Sequence, residues 1–114
     1  MVPKPHDVAR VLAVAAGYVE RGWTRNSMAR DAAGERVNAT DPTACARCAL
    51  GALTAAANGL GWRGYDLADL RQECSAALGL PCVVTAWNDS PDRTAVEVAA
   101  RMREAADKLR TGAQ

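Results

Sequence analysis

The sequence predicts a mainly α-helical protein, a compact bundle of four main helices in a single domain of residues 1–114. Three observations indicate this class. Four segments repeat apolar residues with a helical period, and no repeat or linker divides the 114 residues. The 25 alanines, without any phenylalanine or isoleucine, indicate helices that approach one another closely. Residues 1–6 and 111–114 are expected to be flexible ends.

The first helix is predicted at about residues 8–20, because its apolar positions share one helical face: Val8, Val11, Leu12, Ala15 and Val19. Asp7 is its expected N-cap and Gly22 its stop. The segment that follows lacks helical periodicity. Around residues 28–38, Ala33-Gly34 lies between two short flanks, a pattern compatible with a short β-hairpin or with an irregular loop.

The second helix is predicted at about residues 42–57, with Thr40 or Asp41 as the cap and Pro42 in the first turn. An apolar stripe that includes Cys45 and Cys48 supports it. Gly51 lies inside this helix, where glycine costs about 1 kcal/mol relative to alanine. We therefore expect Gly51 to pack closely against another backbone.

The third helix is predicted at about residues 66–78, capped by Asp66 and ended by Gly79. Residues 82–87 are compatible with a strand or with one buried turn of helix. The fourth helix is predicted at about residues 94–110, because Thr94-x-x-Glu97 forms a capping box ahead of an amphipathic pattern.

Charge and hydropathy exclude two classes of partner. The net charge of +1 makes nucleic-acid binding an unfavoured function. No apolar run approaches the ~20 residues of a membrane span. The stretch VLAVAAGYV at residues 11–19 has the length of a signal segment, but it lacks a cleavage site and shows helical periodicity. We therefore expect a soluble, cytoplasmic protein.

The four cysteines have three interpretations. Cys45 and Cys48 form C-x-x-C, and Cys74 and Cys82 could complete a four-thiolate zinc site. The second pair is eight residues apart, unlike the close pairs of zinc ribbons. Buried reduced thiols are therefore favoured over zinc and over a redox role, and no metal is expected.

No motif indicates a cofactor or a catalytic base. The run GLGWRG at residues 59–64 precedes a connector rather than a helix and follows no strand, so no cofactor is predicted. His6 is the only histidine and lies in the N-terminal lead-in. A cysteine-dependent enzyme would need Cys48 as its nucleophile, with Asp89 as base or orienting group.

The candidate binding residues lie in the segment from Trp87 to Thr94. There a large amphipathic ring stands beside an amide, a carboxylate and a helix start: Trp87, Asn88, Asp89 and Thr94. Such a cluster can bind a polar ligand or the backbone of a partner. The structural alternative is that the polar residues turn and cap the chain while Trp87 fills the core.

Three motifs resemble a family of small uncharacterised proteins of actinobacteria, other GC-rich bacteria and their phages. They are Gly22-Trp23, the run Cys48-Ala49-Leu50-Gly51-Ala52-Leu53, and Trp87-Asn88-Asp89-x-Pro91-x-x-Thr94-x-x-Glu97-Val98. The family's second motif commonly has tryptophan where Arg47 stands, and Cys45, Cys74 and Cys82 match no family position, which disfavours zinc. The resemblance implies no activity. It implies that Cys48, Trp87, Asn88, Asp89 and Thr94 form one unit, with the Cys48 helix packed against the Trp87 turn.

The predicted function is a small binding or regulatory module, an accessory protein of a phage or mobile element that acts on a host protein or a small ligand. Its expected partners are a host protein, a second copy of the chain in a homodimer, or a small polar ligand. The alternative is a small cysteine-dependent enzyme or zinc-binding protein that uses Cys48.

Overall fold

A computed structural model of the chain describes residues 2–112. Within that range the chain forms five α-helices and three two-residue strands: α1 (Pro5–Arg21), β1 (Ala29–Arg30), β2 (Arg36–Val37), β3 (Ala46–Arg47), α2 (Ala49–Gly59), α3 (Gly64–Ala77), α4 (Val84–Asn88) and α5 (Ala95–Gly112). The predicted mainly α-helical class is confirmed. Met1, Ala113 and Gln114, at the two predicted flexible ends, lie outside the described residues, whereas Pro5, His6, Thr111 and Gly112 are helical.

Helix α1 is the centre of the bundle. It packs most extensively against α5, then against α2, and it also contacts α3 and β3. Its buried face carries the predicted residues Val8, Val11, Leu12, Ala15 and Val19. The core around it combines a few larger side chains with many alanines, and its largest fully buried side chains include Leu53, Leu70 and Met102. Small side chains let these helices approach closely, as the alanine content predicts.

The predicted cap of α1 is wrong. The helix begins at Pro5 with Lys4 as N-cap, because a proline suits the first turn, where its missing N–H has no helical partner. Asp7 lies in that first turn, and its carboxylate accepts a hydrogen bond from the Lys4 backbone N–H at 2.9 Å.

The β-hairpin near residues 28–38 is confirmed, and a third strand joins it. Strand β1 is central and pairs antiparallel with β2 and with β3. Asp31 and Gly34 shape the hairpin turn. The Asp31 carboxylate accepts the N–H groups of Ala33 and Glu35, both at 2.9 Å, and Gly34 has a φ of +82°.

The predicted start of the second helix, at residue 42, is wrong, because α2 begins at Ala49. The Asp41 carboxylate accepts hydrogen bonds from the N–H and hydroxyl of Thr43, at 2.8 and 2.6 Å, and forms a turn instead of a helix cap. These bonds lower the pKa of Asp41, the side-chain bond most. The next residues pair with β1, so their backbone groups are taken by the sheet; the Cys45 N–H, for example, bonds the Arg30 carbonyl at 2.9 Å.

The remaining helices follow the predictions with shifted ends. Helix α3 begins at Gly64 with Arg63 as N-cap, so Asp66 lies in the first turn and is not the predicted cap. Gly79 ends it with a φ of +62°. The segment of residues 82–87 contains no strand, and its last four residues belong to the short helix α4, which begins at Val84. The Thr94 hydroxyl accepts the Glu97 N–H at 3.2 Å, as the capping-box motif predicts for α5. Within residues 2–112, no helix is both long enough and apolar enough to span a membrane.

Candidate functional site

Asn88 connects the elements that build the site. Among the polar and charged residues of the described chain, only Asn88 is buried, with 0% of its surface exposed. Its Oδ1 accepts hydrogen bonds from Trp23 Nε1 at 2.7 Å and from the Ala49 N–H at 2.9 Å. Its Nδ2 donates to the Thr24 carbonyl at 3.1 Å and to Asp89 Oδ1 at 3.0 Å. The amide therefore uses both donors and both acceptor positions, and it ties α4 to α2 and to the segment after α1.

The N-terminus of α2 is capped from two sides. Cys48 is the N-cap residue, and its Sγ accepts the Gly51 N–H at 3.3 Å. Asn88 takes the Ala49 N–H, so two of the N–H groups that a helix start leaves without partners are satisfied. The Cys48 helix therefore packs against the turn that contains Trp87, as expected from the motifs.

Two glycines allow the backbone to come close around this helix start. A Cβ on Gly51 would lie 2.0 Å from the Met28 carbonyl oxygen, and a Cβ on Gly22 would lie 2.0 Å from the Cys45 carbonyl oxygen. The expectation that Gly51 packs against another backbone is confirmed. Gly22 follows α1 as predicted, but its extended φ of −179° shows that close approach, rather than a left-handed turn, requires glycine there.

Asp89 is held at the edge of a cleft. Its Oδ1 accepts the Asn26 backbone N–H at 2.9 Å in addition to the bond from Asn88. Asn26 has a φ of +62°, a left-handed conformation that asparagine tolerates better than most residues. The cleft has a volume of about 410 Å³ and is lined by Asn26, Ser27, Met28, Cys48, Thr85 and Asp89.

The structure thus divides the sequence-predicted binding residues into two groups. Cys48 and Asp89 line the cleft together. Trp87 and Asn88 are buried behind it, and Thr94 caps α5 outside it. Sequence reasoning missed the lining residues Asn26, Ser27, Met28 and Thr85, because the loop of residues 26–28 reaches the cleft only through tertiary contacts.

Sequence reasoning also missed two arginines that fix the loops behind the cleft. The guanidinium of Arg93 lies 4.2 Å from the centre of the Trp87 ring, and its Nε donates to the Trp87 carbonyl at 3.0 Å. The guanidinium of Arg25 lies 4.6 Å from the Trp23 ring and donates to the carbonyls of Pro91, at 3.2 Å, and Arg93. The contacts of Arg93 give Trp87 a structural role, which is the alternative to ligand binding in the sequence analysis.

The four cysteines do not converge on one point. All four are free, and the interpretation as buried thiols is correct for Cys48 and Cys74 but wrong for Cys45 and Cys82, which are exposed. Within residues 2–112, no three His, Cys, Asp or Glu side chains lie close enough together to hold a metal ion. The alternative of a zinc site at Cys45, Cys48, Cys74 and Cys82 therefore gains no geometric support.

The environment of Cys48 does not favour a reactive thiolate. Burial raises the pKa of the Cys48 thiol against the opposing effect of backbone hydrogen bonds from Gly51 and Leu50, and the negative charge of Asp89 adds a smaller contribution in the same direction as burial. His6 lies at the start of α1, with Nε2 3.3 Å from Asp7 Oδ1. The cleft joins Cys48 to Asp89 as a cysteine enzyme would require, but burial opposes ionisation of the thiol, and the charge of Asp89 does so more weakly.

We expect thiol labelling to separate the cysteines by burial. Iodoacetamide at pH 7.5 should modify Cys45 and Cys82 in the folded protein, and Cys48 and Cys74 only after unfolding in urea, since burial keeps these two thiols protonated and shielded. Mass spectrometry of the peptides measures each site. Labelling of Cys48 in the folded protein as fast as that of Cys45 would support the cysteine-enzyme alternative instead.

Fold and site together define a small α-helical domain with a short antiparallel sheet and a cleft between the start of α2, the short helix α4 and the loop of residues 26–28. The chain belongs to the family of unknown function DUF6197, which it matches over residues 3–108. Membership in a family without a known function agrees with the resemblance seen in the motifs, while the phage and actinobacterial origin stays a prediction. Neither the curated proteins nor the solved structures contain a significant match.

Proposed function

We propose that the protein is a small binding module that holds a polar ligand with an amine or guanidinium group in the cleft at Asp89. The orientation of the Asp89 carboxylate carries this proposal. Its Oδ1 is fixed by Asn26 and Asn88, while its Oδ2 receives no hydrogen bond from any residue in the range 2–112. A carboxylate held in this way offers a pre-oriented acceptor, which lowers the cost of binding a donor group.

The other lining residues favour the same ligand chemistry. Ser27 and Thr85 contribute hydroxyl oxygens that accept hydrogen bonds, and Met28 contributes an apolar surface. Among the described residues, the cleft lining includes no lysine or arginine, so the charge of Asp89 is not neutralised from within the cleft. The volume of about 410 Å³ lies in the range of small-molecule sites.

A binding role is favoured over catalysis because Cys48 acts as a helix cap. Its sulfur accepts a backbone N–H of α2, and burial raises the pKa of the thiol. Asp89 in turn is held by hydrogen bonds, as expected of a recognition group with a fixed position.

The test is a titration with n-butylguanidinium, followed by amide chemical shifts in NMR spectra. We expect saturable shifts at Ser27, Met28, Thr85 and Asp89. Asp89→Asn keeps the shape and the Oδ1 acceptor but removes the charge, so it should weaken binding about tenfold or more, the contribution typical of a charge-assisted hydrogen bond. Asp92→Asn is the matched control, because Asp92 is exposed and outside the cleft lining.

The neutral analogue n-butylurea should bind at least about tenfold more weakly than n-butylguanidinium for the same reason. Equal affinity of the wild type and the Asp89→Asn variant for n-butylguanidinium would contradict the proposal, as would shifts confined to other surfaces. The host-protein partner, the homodimer, the phage or mobile-element role and the cytoplasmic location stay predictions.

A further inference from the structure

A second and larger concavity lies between α3, α4 and the turn that joins them. This groove has a volume of about 500 Å³, and the residues that matter for its chemistry are Leu50, Arg71, Ala76, Leu80, Val83 and Val84. Thr85 lines both this groove and the cleft at Asp89. The two concavities differ in the charge of their side chains, since the cleft carries Asp89 and the groove carries Arg71.

The floor and walls of the groove are mostly apolar, and one wall residue is strongly exposed. Val83 has 70% of its surface exposed to solvent. It is the N-cap residue of α4, at the turn that joins α3 to α4. Leu80 is half-buried on the same turn and faces the same groove. An apolar ligand group placed here would remove this surface from water.

Arg71 supplies the charge of the groove. The helix positions three and four residues away carry no carboxylate, since they are occupied by Leu67, Ala68, Cys74 and Ser75. Within residues 2–112, its guanidinium makes no ion pair, and its one hydrogen bond is a long contact of 3.4 Å to Thr54 Oγ1. By contrast, Arg93, Arg103 and Arg110 each pair with a carboxylate.

From this charge and this surface we propose that the groove binds a small aliphatic monocarboxylate. The carboxylate would pair with the Arg71 guanidinium, whose planar donors match it in a bidentate arrangement. The aliphatic chain would cover Leu80, Val83 and Val84. Among the described lining residues no Asp or Glu opposes the ligand's charge, and the volume is that of a small-molecule site. This second site goes beyond the proposed function and does not depend on it.

The experiment titrates the protein with octanoate and follows its amide shifts by NMR. We expect saturable shifts at Arg71, Ala76, Leu80 and Val84. Octan-1-ol has the same chain without the charge. It should bind at least about tenfold more weakly than octanoate, because it lacks the charge-assisted hydrogen bonds. Arg71→Gln should weaken octanoate binding by a similar factor, and Arg71→Lys should recover part of the affinity.

Two control variants test whether the effect on octanoate binding is specific to Arg71. Arg10→Gln removes the same charge from an exposed position of α1 outside the groove and should bind octanoate like the wild type. Asp89→Asn should also bind octanoate like the wild type, which separates this proposal from the one at the cleft. An Arg71→Gln variant that is folded by circular dichroism yet binds octanoate with unchanged affinity would overturn the proposal. So would concentration-dependent shifts at these residues without octanoate, since the groove would then be an interface between two copies of the chain.

Discussion

Replacing Asn88 by alanine is expected to lower the free energy of unfolding by about 3–4 kcal/mol, because it leaves buried hydrogen-bonding groups without partners. Trp23 Nε1 and the Ala49 N–H would both lose their acceptor. The Thr24 carbonyl would lose a donor, and a cavity would replace the amide. Urea unfolding followed by circular dichroism measures the change.

Two further variants show whether the effect comes from the hydrogen bonds of Asn88. Asn58→Ala in α2 removes a half-buried amide that makes no side-chain hydrogen bond within residues 2–112, and it should change stability by less than about 0.5 kcal/mol. Asn88→Asp keeps the two acceptor bonds but turns an oxygen toward the Thr24 carbonyl and Asp89 Oδ1, so it should also destabilise the fold at pH 7. Wild-type stability of both Asn88 variants would show that the network does not hold the site together.

Replacing Gly51 by alanine is expected to destabilise the protein by about 3 kcal/mol, although alanine is the better helix former, since overpacking against a fixed backbone costs more than helix propensity returns. The new Cβ would lie 2.0 Å from the Met28 carbonyl oxygen, so the loop of residues 26–28 and the start of α2 must separate. That movement would also stretch the bond from the Cys48 N–H to the Met28 carbonyl, which is 3.1 Å long. Because Met28 lines the cleft, the variant should bind n-butylguanidinium more weakly as well.

Gly17→Ala is the matched control for Gly51→Ala. Gly17 is also helical, but a Cβ there would meet only the flexible end of Arg21, at 3.5 Å. It should therefore stabilise the protein by about 0.5–1 kcal/mol through helix propensity alone. Denaturant midpoints of the two variants should move in opposite directions. A stabilised Gly51→Ala variant would mean that the close approach at Met28 does not exist in solution.

The helices were predictable wherever the apolar period and the capping chemistry agreed. The buried face of α1 matches the sequence pattern, and the capping box at Thr94 and Glu97 starts α5. The prediction of α2 was wrong at its start because two local rules conflict there. The alanine- and cysteine-rich run that includes Cys45 and Cys48 has a helical pattern. However, the Asp41 carboxylate accepts a hydrogen bond from Thr43 instead of capping a helix. Residues 46–47 pair with β1, a strand that is distant in the sequence.

Of the residues that line the cleft, the sequence singled out Cys48 and Asp89 but not the others. The residues Trp87, Asn88 and Asp89 stand out in the sequence, and the structure brings Cys48 and Asp89 to one cleft, as the resemblance in the sequence analysis implies. Asn26 and Thr85 carry no comparable signal. They reach the cleft because Asn26 adopts a left-handed conformation and bonds Asp89, a contact across 63 positions of the chain.

The sequence by itself determined the helical class of this protein, the close packing of Gly51 near the start of α2 and the polar turn after Trp87. These features follow from periodicity and from the local chemistry of caps, turns and close-packed glycines. Only the tertiary structure decided that Asn88 is a buried connector, that Asp89 lines a cleft together with Cys48 and that Arg71 stands beside an apolar groove. Burial and the pairing of charges depend on residues far apart in the chain, and local patterns do not record which side chains meet.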